Sequence, residues 1–233
     1  RPLIERMTGT MACRGPDAAG VWLGEHAALG HRRLSVIDLE TGAQPMSADR
    51  SVVITYSGEV YNFRELREEL VGLGHAFETT SDTEVVLRAY RQWGRAFAER
   101  LNGIYAFAIW DEPAGELVLV RDRMGVKPLY YTAVAADGFA FASELRALLP
   151  LIKTPSFDPA ALAQYLTFLW VPDPATAFRE ALLLWAIPDW PAWVAYRPNM
   201  VWGYDLTSFP TASTPATRGT PPWLLPSARR SLR

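Results

Sequence analysis

Between Gly103 and Ser143 the chain runs through "GIYAFAIWD", "GELVLVRD", "PLYYTAV" and "GFAFAS", strand-like segments separated only by short, turn-rich connections. Their β-branched and aromatic residues predict strands. Connections this short leave no room for the crossover helix that a parallel pair requires, so the strands are predicted to be antiparallel. "GVWLG", "AALGHRRLSVI" and "SVVITYSG" read as earlier strands. "PLIERMTGTMA", "NFRELREELVGLG" and "SDTEVVLRAYRQWG" carry helical spacing. In the second of these helices Asn62 stands at the cap position with Glu65 three residues on, and Phe63, Leu66, Leu70 and Leu73 share a face. Gly72 and Gly74 are placed to stop it, while Ser81 or Asp82 opens the third. "SELRALL" and "DPAALAQYLTF" read as two further helices. Helices flanking antiparallel strands predict an α+β layered fold and argue against a doubly wound one.

Composition narrows the function classes. A net charge of −2 gives no electrostatic reason to bind nucleic acid or an acidic membrane surface. No apolar run is long enough to cross a bilayer, and no leader opens the sequence. A single cysteine cannot form an internal disulfide, so the expected compartment is the cytoplasm. Of the 23 basic residues only Lys127 and Lys153 are lysine, which implies a GC-rich gene. From Ala181 to Arg233 there is neither Glu nor Lys, prolines recur at short spacing, and five of the nine tryptophans occur without a period of 2 or 3.6. Read as the out-of-frame product of such a gene, residues 181–233 are expected to lack a packed core and to dock poorly on the rest.

Four stretches offer chemistry: "GHRRLSVID", "YSGEVYN", "TSDTEVV" and "RDRMGVKPLYY". Singly each has a plain structural account. Arg32 and Arg33 read as strand-surface charges, Ser57-Gly58 as a turn, Asp82 as a helix cap and "RDRMGVKP" as a charged hairpin loop. Together they make a recipe for holding a small amino acid. A guanidinium suits an α-carboxylate, a carboxylate at a helix start suits an α-ammonium, and a glycine after a strand lets backbone N–H groups approach an oxyanion. What the recipe lacks is a nucleophile.

"RGPDAAGVW", "HRRLSVIDLETGAQPM", "GEVYNFRELREEL", "SDTEVVLRAYRQWG", "LNGIYAFAIWD", "VRDRMGVKPLYY" and "FASELRALL" resemble, in register over residues 1 to about 180, the glutaminase domain of glutamine-hydrolysing asparagine synthetases. Those domains are class II glutamine amidotransferases, within the N-terminal-nucleophile hydrolases. The resemblance implies a four-layer αββα sandwich. It divides the chain into a glutaminase domain at 1–150 without its first strand, a linker and start of a synthetase domain at 151–180, and the tail at 181–233. It implies that Arg33 binds the glutamine carboxylate beside a pocket strand of Leu34, Ser35, Val36 and Ile37. It implies further that Gly58 and Ser57 form the oxyanion hole, that Glu59 walls the pocket and that Asp82 takes the ammonium. Ser57 departs from the usual Asn-Gly-Glu pattern.

In the family the nucleophile is a cysteine at the mature N-terminus, activated by its own α-amine. Members begin Met-Cys-Gly and carry a strand ahead of the helix read at residues 2–12. Cys13 stands where relatives commonly have histidine and is expected to be a structural thiol, leaving this chain inactive. The implied whole enzyme takes glutamine, aspartate and ATP with Mg²⁺ to make asparagine, in some members as a homodimer. The ATP-gripping Ser-Gly-Gly loop does not occur, so no cofactor is expected for the fragment. Two alternatives stand beside this reading: an amidotransferase or cyclase of a secondary-metabolite pathway, and an inactive remnant that at most binds glutamine.

Overall fold

The computed structural model describes residues 1–34, 42–47, 51–134 and 138–184, with the backbone of one further strand at 192–196. Its elements in chain order are α1 (Pro2–Gly9), β1 (Ala18–Leu23), β2 (Ala28–Arg33), β3 (Met46–Ser47), β4 (Val52–Val60), α2 (Phe63–Gly72), α3 (Asp82–Trp93) and α4 (Phe97–Arg100). There follow β5 (Gly103–Asp111), β6 (Glu116–Arg121), β7 (Tyr130–Val134), β8 (Gly138–Ala142), α5 (Pro159–Phe168), β9 (Leu182–Leu183) and β10 (Ala192–Tyr196). Every strand pair is antiparallel, as the short connections predict.

The strands form a five-stranded sheet in the order β10-β6-β5-β4-β3, a hairpin β1-β2 and a three-stranded sheet β8-β7-β9. Side chains that alternate along each strand build the layers. On the large sheet, Ile54, Tyr56, Tyr105, Phe107, Ile109, Val118 and Val120 face α2, α3 and α4. The intervening Val53, Ala106, Ala108, Trp110, Leu117 and Leu119 face the other strands, meeting Leu29 of β2, Tyr131 of β7 and Phe139 and Phe141 of β8. On the far side of the small sheet, Tyr130, Ala140 and Ala142 pack under Met7, Ile4 and Met11 of the α1 region. The order is thus helix, sheet, sheet, helix: the α+β four-layer sandwich. The second sheet layer is divided, and β2 and β8 are the edges of its two parts.

Several local expectations change. Asn62 precedes α2, but its side chain does not cap the helix. Its Nδ2 donates to the Arg100 carbonyl at 2.9 Å and its Oδ1 accepts from the Asn102 N–H at 2.9 Å, tying α2 to the start of β5. The "SELRALL" helix is instead two 3₁₀ turns, Leu145–Ala147 and Leu149–Leu151. Pro150 has no N–H to donate and steers Leu149 away from α geometry.

The tail expectation does not hold at its start. Ala181 and Leu184 are buried, β9 pairs with β7, and β10 pairs along β6 from Ala192↔Arg121 to Tyr196↔Leu117. Nor does the fold break at residue 150, because Arg121 bonds both Asp173 and Leu184. A short apolar run that completes an open sheet edge is stabilised by the ladder it joins, which composition does not register. Residues 185–191 and 197–233 lie outside the described residues.

Candidate active site

A cavity of about 990 Å³ opens between the two sheet layers. Every residue of β2 and of β8 lines it, so two sheet edges with no partner strand among the described residues border the same space. Its floor includes Ala106 and Ala108 of the central strand β5. These small side chains, alternating with the large ones that β5 turns toward the helices, leave the room.

The cavity lining includes residues singled out in the sequence. Arg33 and Leu34 close β2, Ser57, Gly58 and Glu59 come from β4, and Asp82 is the first residue of α3; all six line the cavity. Ser35, Val36 and Ile37 lie outside the described residues. Gly58 has φ +149°, and a Cβ there would sit 2.2 Å from the Ile104 carbonyl oxygen and 2.5 Å from the Tyr105 Cα. Only glycine fits both the backbone angle and the contact, which puts a bare, exposed stretch of main chain at the site.

Asp82 is held rather than loose. Its Oδ2 accepts from the Tyr56 hydroxyl at 2.6 Å and from the Val60 N–H at 3.0 Å. Gln44 braces the same corner: its Oε1 accepts from the Tyr56 N–H at 3.2 Å, and its Nε2 donates to the Thr83 hydroxyl at 3.1 Å. Ser81 caps α3 by accepting from the Thr83 N–H. One turn on, the buried Glu84 carboxylate accepts from the Glu78 N–H and from the N–H and hydroxyl of Thr79, and pairs with Arg88. Burial alone would raise its pKa, but these hydrogen bonds hold it below the usual value. The loop that delivers Asp82 is therefore pinned from both sides. Tyr56, Gln44 and Glu84 were not singled out as functional in the sequence. All three fall within quoted motifs, "YSGEVYN", "GAQPM" and "SDTEVV", but neither spacing nor periodicity reveals what they touch.

His31 shares the β2 face of Leu29 and Arg33, and its Nδ1 lies 3.1 Å from the Thr55 hydroxyl. Burial, aided by the Arg33 charge, lowers its pKa from 6.5 to about 4. An unfolded chain takes up this proton near pH 6.5 while the folded one resists it. His31 therefore contributes stability that is fully present above pH 6.5 and is lost as pH falls toward about 4. The shift corresponds to about 3 kcal/mol. Urea unfolding between pH 7 and 4 should show a steeper acid loss for the wild type than for His31→Asn; equal slopes would remove the claim.

Two other features of the sequence take different places. Cys13 is exposed, accepts a hydrogen bond from Arg146 Nη2 at 3.2 Å, and is not among the cavity residues. The "RDRMGVKP" stretch is no charged surface hairpin: Arg121 and Asp122 are buried, and Asp122 accepts from the N–H groups of Met124, Val126 and Lys127. Among the described residues no group of three His, Cys, Asp or Glu side chains is placed to hold a metal ion, and no helix is long and apolar enough to cross a membrane.

A layered α+β frame with a guanidinium, a positive-φ glycine within a strand and a carboxylate lining one cavity agrees with the family comparison, in which the model for the glutamine amidotransferase domain matches residues 1–186. The chain belongs to that family. Within it, the chain is similar to asparagine synthetase 1 (glutamine-hydrolysing) of Bacillus subtilis, with 45% identity over 75% of this chain and 28% of the relative. It is also similar to asparagine synthetase 3 of the same organism, with 48% identity over 63% of this chain and 24% of the relative. Against asparagine synthetase B of Escherichia coli the identity is 37% over 70% of this chain and 28% of the relative. The chain thus spans about a quarter of the length of these relatives. Among solved structures, the glutamine phosphoribosylpyrophosphate amidotransferase of B. subtilis superposes with a TM-score of 0.44 at 27% identity, covering 57% of this chain and 31% of that one.

Proposed function

We propose that this domain binds L-glutamine at the Arg33–Asp82 end of the cavity and serves as the glutaminase of an asparagine synthase. The observation that carries the reading is that Arg33, Gly58 and Asp82, from three separate elements, line one cavity. In this reading Arg33 takes the α-carboxylate and Asp82 the α-ammonium. The side-chain amide then lies toward Ser57 and Gly58, where its oxygen gains negative charge as the carbonyl is attacked. The nucleophile is a thiol carried on a strand seated between β2 and β8, where it pairs both free edges. Its sulfur bonds to the amide carbon, and the C–N bond breaks with proton transfer to nitrogen, releasing ammonia. Water then cleaves the thioester to glutamate and regenerates the thiol. Cys13, outside the cavity, takes no part.

The acceptor proposed for the ammonia is aspartate, after the relatives named asparagine synthetase. Asp82 and Glu59 line the same cavity as Arg33, a donor set that suits a small zwitterion rather than a nucleotide's phosphates. In this reading ATP and Mg²⁺ belong to the rest of the asparagine synthase.

Amide spectra recorded during an L-glutamine titration test the binding site. The largest shifts are expected at Arg33, Leu34, Gly58, Glu59 and Asp82, with none at Cys13. Shifts centred away from these residues, or no shifts at millimolar glutamine, would refute the site.

A further inference from the structure

We propose that Tyr56 is a positioning residue for substrate ammonium recognition: its hydroxyl fixes Asp82 so that one carboxylate oxygen is committed to the fold and the other is offered to the ligand. The inference rests on the reading of Asp82 as the α-ammonium partner. The Tyr56 ring is buried in the layer between the large sheet and its helices and packs against Phe107 at 5.8 Å between centroids, and the residue also borders the cavity. A phenol anchored there has little freedom, and its oxygen lies 2.6 Å from Asp82 Oδ2. The Val60 N–H reaches the same oxygen at 3.0 Å. Among the described residues nothing donates to Oδ1.

Two donors on one oxygen set the carboxylate plane and leave the second oxygen's lone pairs for a cation at the cavity. Burial, with the adjacent Asp82 charge and the hydrogen bond to it, holds the Tyr56 pKa well above 10. The phenol therefore stays a donor across the working pH range and never competes as an anion. Gln44, accepting from the Tyr56 N–H, holds the backbone of the same residue. Tyr56 is thus restrained at ring, hydroxyl and main chain. Neighbouring Ser57, on the opposite face of β4, is turned to the cavity.

The test compares L-glutamine with glutaramate, the same molecule without its α-amine, by calorimetric titration of the full chain. Wild type should prefer glutamine. Tyr56→Phe, which removes only the hydroxyl, should reduce that preference about tenfold, the effect of one hydrogen bond to a charged group, while glutaramate affinity stays within about twofold. Unchanged preference in Tyr56→Phe, even with a lowered thermal midpoint, overturns the inference. If Asp82→Asn abolishes the preference while Tyr56→Phe keeps it, the ammonium site stands and the role of Tyr56 falls. A wild type that binds neither compound, or binds both equally, removes the site reading and this inference together. Should Tyr56→Phe fail to fold, 3-fluorotyrosine placed at position 56 supplies the readout. Its ¹⁹F resonance should move with glutamine and not with glutaramate, and a resonance that responds to both alike, or to neither, overturns the proposal.

Discussion

Replacing Arg121 by methionine should cost about 3–5 kcal/mol of stability, the range for removing one partner of a buried charge pair. Arg121 ends β6 and is 4% exposed. Its Nε donates to the Lys127 carbonyl at 2.7 Å and its Nη2 to the Gly125 carbonyl at 2.6 Å. Its Nη1 donates both to Asp173 Oδ2 at 2.8 Å and to the Leu184 carbonyl at 2.6 Å. Methionine fills much of the space but leaves a carboxylate and three carbonyls without this donor, and unmade buried bonds dominate the cost. Lysine keeps the charge yet cannot present the planar fork to four acceptors, so Arg121→Lys should lose most of the same stability. The damage should begin locally, because the guanidinium fastens the 173–184 segment to the β6–β7 connection. The Leu183 and Leu184 N–H groups, bonded to the Pro174 and Leu129 carbonyls, should exchange faster than those of β5. Urea unfolding with amide exchange measures both effects. A loss below about 1 kcal/mol, the scale of an exposed ion pair, would show that the network does not carry the segment.

Arg121 also marks the limit of what local pattern discloses. The strands and principal helices were legible because burial on a sheet or helix face imposes a period: Tyr105, Phe107 and Ile109 turn one way along β5 while Ala106, Ala108 and Trp110 turn the other. Arg121 and Asp173 are 52 positions apart, and nothing near either residue announces the other. "RDRMGVKP" therefore read as a solvated loop. The same blindness affected Ala181–Leu184 and Ala192–Tyr196. Their proline- and tryptophan-rich surroundings argue against regular structure, and only the open edges of β7 and β6 make strands of them.

Arg33, Gly58 and Asp82 were picked out by motif chemistry and resemblance, and the fold sets all three on one cavity. Tyr56 and Gln44 were not. Their contribution is a fold contact, a phenol reaching across from β4 to α3 and a carboxamide bridging the same two elements, and such contacts have no signature in spacing. The resemblance implied a further strand ahead of the first helix but assigned it no place between β2 and β8. What the sequence could not disclose is that the second sheet layer divides there, with both edges lining the same space.

Glutamine hydrolysis by a thiol arriving on a strand between β2 and β8, as proposed, is tested directly by restoring that strand. Ammonia release from L-glutamine is measured for the chain as given and for the chain joined to an upstream strand that begins with a mature N-terminal cysteine. The extended protein should hydrolyse glutamine at least about 10³-fold faster than the chain alone, the scale on which loss of a nucleophile acts. Replacing its terminal cysteine by alanine should abolish that gain, while Cys13→Ala should leave it intact. Hydrolysis by the unextended chain that disappears on Cys13→Ala would contradict the account.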